Sequence, residues 1–335
     1  MEPAEARAQL LTGRLAPNGV LIDVELSNAA GEFGSGPGIA QDLRVKQRAR
    51  AITEFPIVRF AGRGPVERNV KGDPGSDDLF DLKILKEQLA QDLTAIQLGL
   101  IGLERVYQGL SGTDATSRDA LNQILGLPDE ALPRWSHEGF HERLLSALRI
   151  GTHVGASAFM RGFLTPTGLL LDERVLAYRL GLDAALSGEH WARLRDGLTF
   201  QYRGVAWEYY PRWWSRGLDD WWFEVVQGDR PLVSLTISER IQALTRTFNG
   251  LVPLTMPEGS AGERPWRLCA LSLEADPPVF IPVDPSESVR FTPRADQPPW
   301  TDPAYVSLRS ALQERDDFRL NRSDLARLQR RYQAR

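Results

Sequence analysis

The chain has 335 residues, 42% of them hydrophobic and 25% charged, with a formal net charge of −4 at pH 7. This composition is ordinary for a globular protein of one large or two to three smaller domains, and the charge excludes polyanion binding by bulk electrostatics. The single cysteine, Cys269, excludes an internal disulfide or a cysteine-based zinc site. Because no secretory signal or apolar run of about 20 residues is visible, we expect a cytoplasmic protein without a membrane span.

Residues 1–76 are predicted to form a small α/β segment with a glycine-rich loop and a basic helix. Alternating and β-branched residues indicate strands, while apolar residues at helical spacing indicate helices. The predicted elements are a helix at 4–15, a strand at 20–26, a loop at 29–38, a basic helix at 39–52 and a strand at 55–60.

Residues 77–196 are predicted to form a helical domain that begins with a long helix from Asp77 to Gly109. The apolar residues of this helix follow one another in steps of three and four, as on one face of a helix. We expect this stripe to be buried within its own domain, with dimerisation as the alternative, and Gly99 and Gly102 to allow close approach of a neighbouring helix. Shorter helices are predicted near 115–125, 137–150 and 172–186.

Residues 197–335 are predicted to form an aromatic-rich α+β domain with a proline-rich surface segment at 277–303. Together the three parts predict a helix-rich α+β fold. The expected strands are 198–210, 267–275 and 279–283, and the expected helices are 237–248, 302–314 and a final helix at 323–333 capped by Ser323.

The pentapeptide HEGFH carries the sharpest motif, because His137, Glu138 and His141 match the H-E-x-x-H pattern of zinc-dependent metallopeptidases. On a helix, histidines four residues apart share a face and can share a metal, while the glutamate polarises the bound water. A third ligand must come from elsewhere: Glu173 is the best placed, ahead of Glu189, His190 and His153. Against the motif stand its position in a first helical turn and the loosening effect of its glycine. The alternative is a pair of histidines that pack at the start of a helix.

The glycine-rich loop and the following basic segment form a second candidate, for phosphate or nucleic acid. Backbone N–H groups between a strand and a helix can hold an anion, and clustered cations contact phosphate backbones. The alternative is a solvated basic face. The residues predicted to bind are Gly34, Gly36, Gly38, Arg44, Lys46, Arg48 and Arg50, with further cations at Arg59, Arg63, Arg68 and Lys71.

A tryptophan-rich stretch at 205–226 is the third candidate. Tryptophan and arginine dominate protein interfaces, so a partner-binding role is predicted for Arg212, Trp213, Trp214, Trp221 and Trp222. The alternatives are rings that stack on bases or sugars and rings that fill a core, and we expect most of the cluster to be core. Because adjacent residues point in different directions, we expect one ring of each pair to face the core and the other to lie near the surface.

These features predict a non-enzymatic cytoplasmic subunit of a multi-component prokaryotic assembly, without a cofactor. Its expected partners are other proteins, with nucleic acid as a second candidate. The alternative prediction is a zinc-dependent hydrolase that uses the H-E-x-x-H motif, with Glu138 as the catalytic residue and His137, His141 and Glu173 as the metal ligands.

Overall fold

Helices carry most of the regular structure, and short strands form several small sheets, so the predicted helix-rich α+β class is confirmed. The computed structural model describes residues 3–23, 36–62, 78–90, 92–256, 262–275, 278–293, 297–314 and 316–333. The chain divides into two units. Unit 1 comprises Met1–Pro128, His141–Arg161 and Arg203–Tyr210, and unit 2 comprises Asp129–Phe140, Gly162–Tyr202 and Pro211–Arg335. The division of the sequence at residues 76 and 196 stays a prediction.

Unit 1 is built on a parallel sheet whose strand order is β1-β2-β3. The central strand reads IVRFA, and its near-continuous burial is typical of a parallel strand that is covered on both faces. The elements here are α1 (Pro3–Leu11), β1 (Val20–Asp23), α2 (Gly36–Arg48), β2 (Ile57–Ala61) and β3 (Leu82–Leu85). The expected basic helix and both expected strands are therefore present. The helix begins three residues before and ends four residues before its predicted bounds, and β2 begins two residues later and ends one residue later than predicted. Residues 24–26 of the first expected strand lie outside the described part of the chain.

The prediction of one continuous helix from Asp77 is wrong. Its first part is β3, followed by a 3-10 turn at Lys86–Ala90, and the α-helix α3 covers Leu93–Leu110. Asp92 caps α3, because its Oδ1 accepts the N–H of Ala95 at 2.9 Å. A short apolar run fits a strand as well as a helix, and pairing with β2 decides between them here.

The helices α4 (Arg118–Leu125) and α7 (Thr152–Phe159) complete unit 1, together with the later part of α6 (Glu138–Ile150). The close approach predicted at Gly102 is real, but the neighbour is an irregular segment rather than a helix. A Cβ at Gly102 would lie 2.6 Å from the Tyr210 ring. Of the apolar residues in the predicted stripe, Leu93 is 52% exposed and Leu103 is 2% exposed, so only part of the stripe is buried.

Unit 2 combines helices with antiparallel strand pairs, three of which lie among the residues described. The pairs are β4 (Leu170–Leu171) with β5 (Trp213–Trp214), β6 (Arg267–Leu268) with β7 (Pro282–Val283), and β8 (Ser288–Arg290) with β9 (Tyr305–Ser307). The helices are α5 (Leu132–Trp135), α8 (Glu173–Leu180), α9 (Ala184–Asp196), α10 (Ser215–Glu224), α11 (Ile237–Leu244), α12 (Ala270–Leu273), α13 (Leu308–Gln313) and α14 (Arg322–Gln333).

Several sequence predictions for unit 2 need correction. The expected strand at 198–210 reduces to an isolated bridge between Gln201 and Trp213, followed by turns. The expected helix at 302–314 begins with β9, because those residues pair with β8. At the last helix, Asn321 rather than Ser323 provides the cap, since its side chain accepts the N–H of Asp324 at 3.0 Å.

No helix in the described part of the chain combines the length and apolar character that a membrane span requires.

Candidate functional site

The four predicted partner-binding tryptophans are core residues of unit 2. Trp213, Trp214, Trp221 and Trp222 are 2%, 1%, 5% and 0% exposed. The Trp214 ring packs 5.6 Å from Phe163, and Trp222 donates its indole N–H to the carbonyl of Arg230 at 2.9 Å. Both rings of each adjacent pair therefore face inward, contrary to the expectation of one surface ring. Arg212 also binds locally, donating to the Leu164 carbonyl at 2.9 Å.

The histidines of HEGFH do not share one helical face as the motif requires. His137 precedes the first helical residue, Glu138, and its Nδ1 accepts the N–H of Gly139 at 3.0 Å. Its ring also lies 5.6 Å from the Trp300 ring. The proposed third ligand is engaged, because the Glu173 carboxylate accepts the indole N–H of Trp191 at 2.7 Å and pairs with Arg195. Among the residues that the structure describes, no three histidine, cysteine or acidic side chains are grouped to hold a metal.

The predicted phosphate site is divided between the two ends of α2. Gly36 begins the helix at the carboxyl end of β1, and a Cβ there would lie 2.2 Å from the Asp23 carbonyl oxygen, so only glycine fits. Gly38 lies in the first turn, and Gly34 lies outside the described residues, as do Arg63, Arg68 and Lys71. The 13 residues of α2 span about 20 Å, which separates these glycines from the cations at the other end.

Three cations at the C-terminal end of α2 are exposed, and we call them the basic end of α2: Lys46, Arg48 and Arg50. Their side chains form no hydrogen bond or ion pair with any residue that the structure describes. The partial negative charge of a helix C-terminus favours cations at this position. The basic end of α2 is therefore a localised positive surface on a protein whose net charge is negative.

Arg44 departs from the prediction, because it is buried and its charge is neutralised inside unit 1. Its Nη2 pairs with Asp81 Oδ2 at 2.6 Å, and the two side chains are 9% and 2% exposed. Its other N–H groups donate to Gln47 Oε1 at 2.7 Å and to the carbonyls of Leu79 and Phe55. Arg44 is thus a structural residue, unlike its exposed neighbours Lys46 and Arg48.

Asp81 is the centre of a buried polar network. Besides Arg44, its carboxylate accepts the backbone N–H of Ile57 at 2.8 Å and the Tyr107 hydroxyl at 2.8 Å. The Nδ1 atom of His153, on α7, lies 3.1 Å from Asp81 Oδ1 and 3.0 Å from the Tyr107 oxygen. We call Arg44, Asp81, Tyr107 and His153 the Asp81 network, and it joins α2, α3 and α7 to the residue that precedes β3.

Burial and charge act in opposite directions on the acid at the centre of this network. Burial alone would raise the pKa of Asp81, but the hydrogen bond with His153 and the positive charge of Arg44 outweigh it and lower that pKa. Burial and the adjacent Asp81 charge raise the pKa of Tyr107 well above its usual range. Asp81 is therefore an ionised acceptor and Tyr107 a protonated donor at neutral pH.

These protonation states determine the tautomer of His153. Tyr107 donates its proton to Asp81, so both groups near Nδ1 present oxygen lone pairs. If Nδ1 carried a lone pair, that lone pair would face the Asp81 Oδ1 lone pair across 3.1 Å, which is repulsive. An Nδ1–H instead donates a hydrogen bond to Asp81 Oδ1, so the proton lies on Nδ1. In the neutral imidazole, Nε2 then carries the free lone pair and acts as an acceptor.

Two cavities of unit 1 adjoin the basic end of α2. The first, called the His153 cavity, has a volume of about 420 Å³ and is lined by His153, Arg48 and Glu54, among others. The second, of about 510 Å³, is lined by Arg50 and again by Glu54 and Gln47. Both volumes fall within the usual range for small-ligand sites.

Sequence reasoning missed Asp81 and Tyr107 and gave His153 only a minor place as a metal ligand. The residues of the Asp81 network lie far apart in sequence and follow no motif spacing. One signal was available: Asp81 interrupts an apolar stretch, Leu79 to Leu85, that is otherwise broken only by Lys83. A carboxylate within a buried apolar stretch needs partners, although the sequence does not name them.

Comparison with protein-family models, with curated proteins and with solved structures gives no match. The function is therefore argued from the geometry of these residues.

Proposed function

We propose that this protein is a non-enzymatic cytoplasmic subunit of a multi-component prokaryotic assembly, and that it contacts nucleic acid through the basic end of α2. One observation carries the proposal. Lys46, Arg48 and Arg50 are exposed cations within five residues of one another, without a side-chain partner among the residues described. Such a group can neutralise successive phosphates and release their counterions.

The buried Asp81 network supports this assignment by fixing the position of the basic end. Arg44 lies in the same helix as Lys46 and Arg48, and its pairing with Asp81 holds that helix against the sheet. Cations presented on a fixed element lose less conformational freedom on binding than cations on a flexible tail.

The proposal is tested by titrating labelled single-stranded RNA and DNA with the full chain and following fluorescence anisotropy at several salt concentrations. Three phosphate contacts predict a slope of log K against log salt of about −2 for a single strand. In the triple variant Lys46→Ala, Arg48→Ala and Arg50→Ala, we expect most of this slope to disappear together with the affinity.

A matched control removes the same charge elsewhere. Arg193, Arg246 and Arg309 are exposed arginines of unit 2, and their joint substitution by alanine should leave the salt slope unchanged. If the two triple variants lose affinity equally, binding reflects general charge and the proposed surface is wrong.

Membership of an assembly is a separate part of the proposal and needs a separate test. Co-purification of the tagged full chain from its native host should recover stoichiometric partner proteins. A chain that is recovered alone and monomeric at physiological concentration would contradict this part.

The zinc-hydrolase alternative stays a prediction that no observed donor arrangement favours. Measurement of bound zinc in the purified protein, with His141→Ala as the comparison, tests it.

A further inference from the structure

We infer that the second cavity of unit 1 binds a phosphorylated sugar, with the phosphate on Arg50 and the sugar hydroxyl groups on the polar side chains of the wall. We call it the Arg50 cavity, and its volume is about 510 Å³. The inference goes beyond the proposed function and shares only Arg50 with it, because Lys46 and Arg48 do not line this cavity. The ligand is either a free sugar phosphate or the ribose phosphate of an RNA strand, and the experiment separates these sources.

The backbone of Arg50 has a conformation that normally belongs to glycine. Its φ is +54°, in the left-handed region. The chain leaves α2 through the two hydrogen bonds of a Schellman motif, from the Arg50 N–H to the Gln47 carbonyl at 2.9 Å and from the Ala51 N–H to the Lys46 carbonyl at 3.0 Å. Glycine is the usual residue at this position, because a Cβ is unfavourable there. A strained residue on the wall of a cavity indicates that its side chain is used.

The Arg50 guanidinium is available to an anion. It forms no hydrogen bond or ion pair with any residue that the structure describes. A guanidinium can donate to two phosphate oxygens at once. Among the described residues that line the cavity, Arg50 alone is cationic, so the cavity has one place for a phosphate.

Three hydroxyl groups of the wall are also available. Thr53, Ser111 and Thr152 line the cavity, and their hydroxyls form no hydrogen bond within the described part of the chain. Each of them can donate one hydrogen bond and accept others, as a sugar hydroxyl can. A wall of this kind matches a ligand that carries several hydroxyl groups.

Glu54 adds a negative charge to the same wall. One of its oxygens, Oε2, accepts the backbone N–H of His153. A Cβ at Gly151 would lie 2.8 Å from the other oxygen, Oε1, so glycine at this position leaves room for the carboxylate. A bare phosphate would be repelled by this charge, whereas a sugar hydroxyl can donate to it. The wall therefore favours a phosphate that is attached to a sugar.

The remaining polar side chains of the described wall are engaged within unit 1. The Thr12 hydroxyl donates to the Ala8 carbonyl at 2.8 Å. The Gln47 amide donates to the Phe55 carbonyl at 3.2 Å and accepts from Arg44 at 2.7 Å. These two residues shape the cavity, and the ligand contacts are left to Arg50, Glu54 and the three free hydroxyls.

Isothermal titration calorimetry of the full chain with ribose 5-phosphate, ribose and inorganic phosphate tests the inference. We expect ribose 5-phosphate to bind at least tenfold more tightly than either of the other two, because it alone meets both Arg50 and the hydroxyl groups of the wall. Equal affinity for ribose 5-phosphate and inorganic phosphate overturns the inference. No binding of ribose 5-phosphate at millimolar concentration also overturns it.

Arg50→Gly is the sharpest variant, because it restores the usual residue at the strained position. We expect its midpoint of thermal unfolding to equal or exceed that of the wild type, while its affinity for ribose 5-phosphate falls at least tenfold. A lower midpoint or a retained affinity overturns the inference. The matched control is Lys46→Ala, which removes an exposed cation outside the cavity wall and should leave this affinity unchanged. Equal losses in the two variants would show an effect of general charge and would also overturn it.

The double variant Thr53→Val with Ser111→Ala tests the contacts to the sugar. It should reduce the affinity for ribose 5-phosphate about tenfold and leave the affinity for inorganic phosphate unchanged, because Arg50 stays in place. Equal losses for both ligands, or no loss for either, would contradict the role of the hydroxyl groups.

The source of the sugar phosphate is decided by comparing RNA and DNA strands of ten adenine nucleotides by fluorescence anisotropy. A preference for RNA that the double variant loses assigns the cavity to the ribose phosphate of a strand. Equal affinity for the two strands, with tight binding of ribose 5-phosphate, assigns it to a free sugar phosphate. If strands bind with the expected salt slope while ribose 5-phosphate does not bind, this inference is wrong and the proposed function stands.

Discussion

The substitution Asp81→Asn is the most direct test of the reasoning about the unit 1 network. It keeps the size of the side chain and removes its charge. Asp81 accepts from Arg44, Ile57 and Tyr107 and lies beside His153. The neutral amide leaves the Arg44 guanidinium buried without a counter-charge.

The expected cost follows from that burial. Both partners of the ion pair are almost fully covered, and their atoms lie 2.6 Å apart. Removing one partner of a buried pair destabilises a protein by about 3–5 kcal/mol, because the remaining charge stays desolvated. Domains of ordinary stability have only about 5–15 kcal/mol in total, so the variant should be marginally folded.

Urea unfolding followed by far-UV circular dichroism measures this cost. A loss of about 4 kcal/mol moves the midpoint by about 2 M at a slope of about 2 kcal/mol per M. Tryptophan fluorescence is the poorer probe, since Trp207 is the only one of nine tryptophans in the ranges of unit 1. Hydrogen exchange of peptides from α2 and α3 then locates the weakened unit.

The control makes the same change at an exposed acid. Asp78 pairs with Arg161 at 3.0 Å, but its side chain is 81% exposed, so Asp78→Asn should cost no more than about 1 kcal/mol. The double variant of Asp81→Asn with Arg44→Met should lose less than the sum of the two single changes. Equal costs at the two acids, or strictly additive single changes, would refute the assignment of Asp81 as the centre of the network.

The pH dependence has a definite sign. Because the folded-state pKa of Asp81 is lowered, its contribution is present above the ordinary carboxyl pKa and is lost as the pH falls through the folded-state value. The difference in free energy of unfolding between the wild type and Asp81→Asn should therefore shrink in acid. A difference that is constant from neutral pH to below about pH 3 would contradict ionisation of Asp81 in the folded state.

Three further predictions concern other parts of the chain. Gly126→Ala should destabilise unit 1 by about 3 kcal/mol in urea unfolding, since φ is +63° and a Cβ would meet neighbouring backbone at 2.4 Å. The control Gly112→Ala, at φ +72° with open space, should cost only about 1–2 kcal/mol in the same assay. Trp222→Ala should cost about 3–5 kcal/mol in urea unfolding and reduce the near-UV signal, because the ring fills the unit 2 core. In a carbon-13 NMR titration, Arg230→Ala should raise the pKa of Glu239 from about 2, because it removes the largest cause of the lowering; an unchanged pKa would count against that hydrogen bond.

Local patterns in the sequence correctly predicted those elements whose own residues show a clear helical or strand periodicity. The basic helix, the strands of the parallel sheet and most of the shorter helices lie where periodicity and turn residues indicate. The long helix from Asp77 was wrong because a run such as LKIL fits a helical stripe and a buried strand equally. Only its pairing with β2, which is a contact distant in sequence, decides between the two.

The candidate site shows the same division between local and distant information. The cations of α2 are visible in the sequence as a cluster, and three of them are exposed as expected. Their neighbour Arg44 has the same chemistry and lies two residues from Lys46, but faces the sheet and meets a carboxylate 37 residues away. Helical geometry puts residues two apart on different faces, so one stretch of basic residues supplies both a buried ion pair and an exposed surface. Asp81, which neutralises Arg44, also lies 3.1 Å from His153 Nδ1, so the buried ion pair and the polar network of unit 1 have the same centre.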